Sequence, residues 1–225
     1  MAIPKTIYQT YRSARLPIVT QWHIRKMRQR NPEYDYQFYD DARIDRFIGE
    51  EYGSDILKLC RRINIGAARA DFFRYAMLYK RGGVYLDIDS LLVDRLSSFV
   101  TASDQAVISL ESNLTHYVQW ALVYEAGHPF LGKTLEKVID NLSANRFPHN
   151  VHRMTGPGAY TLAIKESLAE RPCLSYREIG VDYDNSFRFS YPMSKLFLYG
   201  FGKKDHWRKA EQTKPVIACA TDHLK

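Results

Sequence analysis

Along the chain the hydrophobic positions switch between a period of two and a period of about 3.6 residues, which marks out strands and helices in succession. Lys5 to Thr10 reads as a first strand. Pro17 opens a helix that runs towards Arg30 and stops before Asn31-Pro32, because a residue preceding proline is pushed out of the helical region. Tyr34, Tyr36 and Phe38 alternate with Asp35 and Gln37 and predict a second strand. Asp40 or Asp41 then caps a helix whose buried stripe is Ile44, Phe47 and Ile48. Ile56, Leu57 and Cys60 predict a short helix. The stretch from Ala67 to Tyr79, ended by Gly82-Gly83, predicts a longer one that is apolar over much of its surface and hence largely buried. Strands are expected at Ala106–Leu110 and Val118–Tyr124, followed by an amphipathic helix carrying Leu131, Leu135, Val138, Ile139 and Leu142. Thr155-Gly156-Pro157-Gly158 breaks the chain before a helix over about Ala159–Leu168, and further strands are expected near Cys173–Ile179 and Leu196–Phe201. With no repeat, low-complexity tract or linker, 225 residues of alternating strands and helices predict one α/β domain over residues 1–225.

The chemistry concentrates in Gly82-Gly83-Val84-Tyr85-Leu86-Asp87-Ile88-Asp89. Here a strand would bury Val84, Leu86 and Ile88 on one side and turn Tyr85, Asp87 and Asp89 to the other. Two carboxylates at the end of a buried strand sit where α/β folds place their ligand crevices. They repel each other unless a divalent cation joins them, and the hard cations Mg²⁺ and Mn²⁺ suit oxygen ligands and diphosphates. Upstream, Asp71 and Arg74 lie three apart on one helix face. They form either a self-satisfying ion pair or a polar pair offered to a polyhydroxylated ligand.

Composition narrows the class. Hydrophobic residues make up 45% and Tyr occurs 16 times, which suits a globular core with polar handles and saccharide-facing surfaces. The three cysteines, Cys60, Cys173 and Cys219, fit no metal or redox spacing and read as reduced residues. No run approaches the roughly 18 apolar residues of a membrane span and no signal-peptide core is present, so a cytoplasmic enzyme is expected, with peripheral membrane contact left open. The net charge of +7 gathers in two clusters. Arg25, Lys26, Arg28 and Arg30 form either a solvated face or a contact for acidic lipid. Lys203, Lys204, Arg208 and Lys209 would attract a nucleotide diphosphate or an anionic acceptor. No nucleic-acid-binding motif accompanies the charge, so no nucleic-acid partner is expected.

The string from Asp71 through Arg74-Tyr75, Leu78-Tyr79, Gly82-Gly83, Tyr85-Leu86-Asp87 and Asp89 resembles the sugar-binding region of glycosyltransferase family 32. That family includes initiating α-mannosyltransferases of the yeast type and is distantly similar to the glucosylating domains of clostridial toxins. Ile3-Pro4-Lys5-Thr6-Ile7-Tyr8-Gln9-Thr10-Tyr11 matches at the start, where the family usually carries His and Trp at the last aromatic positions. Asn31-Pro32-Glu33-Tyr34, Tyr39-Asp40-Asp41, His128-Pro129 and Thr155-Gly156-Pro157-Gly158 follow in the family's order.

The resemblance implies the GT-A fold, a Rossmann-like sheet with the nucleotide at its strand ends. It also implies a metal-dependent, retaining transfer of a sugar from a nucleotide-sugar donor, UDP-linked or GDP-mannose, to a glycan, lipid-linked or protein acceptor. By that resemblance Asp89 is the direct metal ligand, Asp87 supports the metal and reaches the ribose or sugar, and Asp71, Arg74, Tyr75 and Gly83 belong to the donor site. The first strand carries the nucleobase pocket, with Tyr8, Gln9, Thr10 and Tyr11 as its residues. The family closes its site with Ser-x-Trp or Ser-Trp near the end of the domain. Here the matching stretch is Asp205-His206-Trp207, so Trp207 would serve the leaving diphosphate and His206, or Asp205, would complete the metal site. A nitrogen ligand favours Mn²⁺ over Mg²⁺. Glu111 and His128 are candidates for the acceptor side by position alone. Two other readings stay open: a sugar- or nucleotide-binding protein without turnover, and a metal-dependent phosphodiesterase or nuclease.

Overall fold

The computed structural model describes residues 2–200 and 207–218. The chain runs through β1 (Thr6–Thr10), α1 (Ile18–Arg30), β2 (Asp35–Tyr39), α2 (Asp41–Tyr52), α3 (Ser54–Arg61), α4 (Gly66–Arg81), β3 (Gly83–Leu86), β4 (Leu91–Leu92), β5 (Ala106–Leu110) and β6 (Ala121–Tyr124). It continues with α5 (Pro129–Ser143), α6 (Val151–Met154), α7 (Pro157–Glu170), β7 (Arg177–Val181), β8 (Phe187–Arg188), α8 (Ser194–Tyr199) and α9 (Trp207–Thr213). The main sheet has the order β2-β1-β3-β6-β5-β7, and β4 pairs with β8 in a separate two-stranded ribbon. β1 is parallel to both β2 and β3, β5 is parallel to β7, and β6 runs against both of its neighbours.

Side-chain alternation divides this sheet between two cores. Tyr8, Tyr85, Ile108, Leu122 and Tyr124 pack under α2 to α7, against Phe72, Phe73, Met77 and Leu78 of α4. Ile7, Val84, Leu86, Val107, Ala121 and Val123 face Met27 of α1, Leu92 of β4 and Phe187 of β8. Asp40 caps α2, its Oδ1 accepting from Arg43 N–H at 2.9 Å. α4 buries nine residues, Asp71 and Arg74 among them, and ends at Gly82. The two glycines that follow are steric requirements. A Cβ at Gly82, where φ is +63°, would meet the Ala126 nitrogen at 2.6 Å, and one at Gly83, where φ is +110°, would meet the Thr6 carbonyl at 2.7 Å. β3 can therefore lie close against β1.

After β1 the chain leaves towards β2, and after β3 it leaves towards β5 and β6. A crevice therefore opens between β1 and β3 at their C-terminal ends. Several expected boundaries shift. β3 stops at Leu86, so Asp87 and Asp89 stand in the turn beyond it rather than on the strand. β6 begins only at Ala121 and β7 only at Arg177. Residues 196–199, expected to be extended, belong to helix α8, because a short apolar run carries no period that separates strand from buried helix; Phe201 lies outside the described residues. Cys60 is buried and Cys173 exposed, both free, and Cys219 lies outside the described residues. No helix among the described residues is long and apolar enough to cross a membrane.

Candidate active site

The turn after β3 is fixed through its backbone. Asp87 N–H donates to the Trp120 carbonyl at 2.8 Å, and the Asp87 carbonyl accepts from Ser90 N–H at 2.9 Å and from Gln9 Nε2 at 3.1 Å. Below it lies a buried charge network. Arg74 Nη2 donates to Asp87 Oδ1 at 2.7 Å and lies 3.2 Å from Asp71 Oδ1. Arg74 Nη1 donates to the Gln119 carbonyl and to Gln119 Oε1, each at 2.7 Å, and Nε donates to the Ala70 carbonyl at 3.4 Å. Four hydrogen bonds and the ion pair with Asp71 thus engage all three guanidinium nitrogens. Asp71 is equally engaged: Gln119 Nε2 donates to Oδ1 at 3.1 Å and Thr155 Oγ1 donates to Oδ2 at 2.8 Å. Tyr85 donates to Asp87 Oδ1 at 3.1 Å, and its ring lies under the guanidinium with 4.8 Å from carbon to centroid.

Burial pushes the Asp87 carboxyl up to about 7 against the pull of Arg74, with Asp89 and Asp71 adding to the rise. Asp89 is also raised by burial, opposed by its own backbone N–H, Lys195 and Arg74. Burial works against the Arg74 cation, but Asp87, Tyr85 and Asp71 more than reverse this and hold it firmly protonated. The site therefore keeps two desolvated carboxyls turned to one cleft and only one of them bonded to arginine.

That cleft has a volume of about 910 Å³. Its wall is assembled from strand ends. Thr10 and Tyr11 end β1, Asp87 follows β3, Glu111 follows β5 and Asp182 follows β7, while Gln119 and Trp120 precede the antiparallel β6; all of them line it. Asp71 and Arg74 form its floor, and Trp207 and Arg208 at the start of α9 close one side. Burial raises the Glu111 carboxyl and the Asp182 carboxyl, so a second acidic pair faces the first across the cleft. Asp182 opens a run of four left-handed residues through Asn185. Tyr183 anchors this run, its hydroxyl donating to the Ala121 carbonyl at 3.0 Å and the Val107 carbonyl at 3.2 Å.

Of the residues expected at the site, Thr10, Tyr11, Asp71, Arg74, Asp87, Asp89 and Trp207 line the cleft. Tyr8 does not. Its register opposite Tyr85 turns it under the helices, into the core beside Tyr39, so stacking on a nucleobase is not open to it. Tyr75 is fully buried below the floor, bonding Gln119 Oε1 and the Thr155 carbonyl, and Gly83 is buried in the β1–β3 contact. Gln9 faces the opposite side of the sheet and braces Asp87 from behind. His128 is removed from the acceptor side: it caps α5, its Nδ1 accepting from Phe130 N–H, and it packs between Tyr124 and Phe130. His206 and Asp205, expected to complete a metal site, lie outside the described residues, as do Lys203 and Lys204. The sequence reading missed Gln119, Lys195, His152 and Asp182. Gln119, a lone amide ahead of a strand, leaves no motif. Thr155 lay in a noted stretch, but its bond to Asp71 was not foreseen.

Asp87 and Asp89 offer the cleft hard oxygen donors, raised by burial, that suit a Mg²⁺ or Mn²⁺ ion. Among the described residues no three His, Cys, Asp or Glu side chains cluster closely enough to hold an ion unaided. These residues fit a cation shared with a bound ligand, not a closed protein cage.

Residues 18–113 match the family model described as "Glycosyltransferase sugar-binding region containing DXD motif". The chain is 24% identical over 204 residues to the initiation-specific alpha-1,6-mannosyltransferase of Candida albicans, covering 73% of this chain and 53% of that protein. It is 30% identical over 151 residues to inositol phosphoceramide mannosyltransferase 3 of Schizosaccharomyces pombe, covering 67% of this chain and 40% of that one. The chain spans about half the length of the initiation-specific mannosyltransferases it matches. Among solved structures it resembles the PaToxG glycosyltransferase, with a TM-score of 0.57, 19% identity and coverage of 76% and 70% of the two chains. The UDP-bound glycosyltransferase domain of the YGT toxin gives a TM-score of 0.56 at 10% identity, covering 80% of each chain. These likenesses show a GT-A fold.

Proposed function

We propose that the cleft transfers a hexosyl unit from a nucleoside-diphosphate sugar to a hydroxyl acceptor, a reading supported by the match of residues 18–113 to the DXD-motif sugar-binding family model. The observation that carries the reading is the position of Asp87 and Asp89. They stand at the switch point between β1 and β3, over a floor of Asp71 and Arg74, in a cleft large enough for a nucleotide sugar. The named mannosyltransferases among its relatives support mannose as one candidate sugar, and the panel of donors must include GDP-mannose beside UDP-glucose, UDP-galactose and UDP-N-acetylglucosamine.

In this reading the nucleotide lies along the ends of β1 and β3, with its base near Tyr11 and Arg12. Asp87 and Asp89 would hold a Mn²⁺ or Mg²⁺ ion, whose charge lowers the barrier to expulsion of the diphosphate. Trp207 offers its indole N–H, and Lys195 its ammonium, to the same leaving oxygens. Arg74 keeps one Asp87 oxygen fixed and leaves the other turned to the ligand. Asp71 holds the edge of the sugar. The acceptor enters along the wall of Glu111, His152 and Asp182. Its hydroxyl attacks the anomeric carbon on the face the diphosphate leaves. The bond from that carbon to the phosphate oxygen breaks as the new glycosidic bond forms, and the acceptor's proton passes to the departing phosphate oxygen.

Incubation with the four donors and Mn²⁺, with free sugar and nucleoside diphosphate as the readout, tests the proposal. One donor hydrolysed slowly in water, and not after Asp89→Asn, is the expected result. Release of nucleoside monophosphate and sugar 1-phosphate, with the sugar–phosphate bond intact, would replace transfer by cleavage of the diphosphate bridge.

A further inference from the structure

Five of the eight large hydrophobic side chains most exposed among the described residues fall in two neighbouring segments, and neither belongs to the floor of the cleft. Ile18 on α1 is 84% exposed and Trp22, one turn on, is 49% exposed; α1 buries only Thr20 and Met27. Phe189, Met193 and Phe197 stand out from the segment that carries α8. That segment is seated on α1. The ring of His23 stacks on Tyr191 at 4.2 Å, Thr20 Oγ1 and the Tyr191 hydroxyl are 2.7 Å apart, and α8 packs against α1. Thr20, His23 and Tyr191 join the two segments, and Ile18 and Trp22 form an apolar pair one turn apart on the outer side of α1.

Its charge is one-sided. Residues 1–32 contain seven Lys or Arg and no Asp or Glu, so the whole net charge of +7 resides there and the rest of the chain is balanced. Arg15, Arg25, Lys26, Arg28 and Arg30 are exposed on or beside α1. Lys26 places its ammonium 3.8 Å from the centre of the Trp22 ring, and Lys195 lies over Phe189. A tryptophan and an isoleucine turned outwards among cations match the layered chemistry of an anionic bilayer surface, with acyl chains below and phosphates above. An aliphatic Ile18 beside Trp22 suits acyl chains better than it suits the base-stacking platforms of nucleic-acid binders, which are aromatic.

We propose that the α1–α8 face docks on an anionic phospholipid surface, with Ile18 and Trp22 entering the interface and the α1 cations contacting the phosphates. Phe189 and Lys195, on the segment seated against α1, line the cleft, so docking through α1 would hold the cleft close to the lipid surface. This arrangement is independent of what the cleft turns over.

The test is co-sedimentation of the full chain with phosphatidylcholine vesicles, with and without about a third phosphatidylserine. Binding is expected only with phosphatidylserine and falls as salt rises. Ile18→Ser with Trp22→Ser weakens it by roughly tenfold per side chain at unchanged melting temperature, since both side chains are exposed. Arg25→Gln with Lys26→Gln weakens it by about fivefold per charge. Failure to bind phosphatidylserine vesicles at low salt overturns the proposal. So does a serine variant that binds as well as the parent, which would leave only a non-specific attraction of polyanions to a basic face.

Discussion

Arg74 and Asp87 meet at 2.7 Å, Nη2 to Oδ1, and this contact is one of four hydrogen bonds and two ion pairs that engage the guanidinium within the protein. The arginine thus acts on the cleft through the carboxylate it holds. With its side chain 3% exposed and that of Asp71 4% exposed, the pair also closes a buried electrostatic unit.

Arg74→Ala leaves Asp71 and Asp87 buried without their cation, and a loss of about 3–5 kcal/mol is expected. Urea unfolding followed by circular dichroism measures it. A variant as stable as the parent, but unable to use donor, would mean that Arg74 serves the ligand and not the fold.

Asp89→Asn is expected to abolish metal-dependent nucleotide binding and leave the fold intact, because no other side chain bonds depend on this carboxyl in the network beneath the cleft. Calorimetric titration of UDP and GDP in the presence of Mn²⁺ is the measurement. Equal affinity in parent and variant would remove Asp89 from any metal site.

Trp207→Phe keeps an aromatic ring packed on the core beside α9 and deletes the indole N–H. A fall in turnover on the order of 10²-fold at nearly constant melting temperature is expected, the usual cost of one donor to a developing anion. Undiminished turnover would show that the leaving group does not depend on it.

The glycosidic product should keep the donor's α configuration. A double displacement needs a carboxylate free to attack the sugar. On the floor of the cleft both oxygens of Asp71 are bonded, to Gln119 and Arg74 on one side and to Thr155 on the other, and Asp87 is held through Oδ1 by Arg74 and Tyr85, its other oxygen being the one proposed for the metal. Proton NMR of fresh glucosyl or galactosyl product is expected to show the small anomeric coupling of an α linkage. A large coupling would exclude same-face attack.

Much of this was legible in the residues, for identifiable reasons. Period-two alternation placed Val84 and Leu86 opposite Tyr85, and the same rule applied to β1 would have sent Tyr8 into the core beside it. The long apolar helix and its glycine stop gave α4, and its two charged residues pointed to the floor of the cleft. Of the opposite wall only Glu111 was legible, from its position after β5. Asp182 reaches the cleft through four consecutive left-handed residues, none of them glycine, a conformation that no local propensity announces. Gln119 acquires its partners from α4, 44 to 48 residues away, and α8 hid in a run of apolar residues too short to show a period.

The two sides of the cleft differ in how tightly they are built into the fold. Asp71, Arg74 and Asp87, within the family-matched segment 18–113, are tied to one another by buried bonds, whereas His152, Asp182 and Phe189 lie beyond that segment. Asp182 and Phe189 directly follow β7 and β8, and His152 sits in the four-residue α6, all three outside the paired residues of the main sheet. A replacement at any of them is therefore expected to reshape one wall of the cleft at less cost to the fold than a change in the buried network under the other.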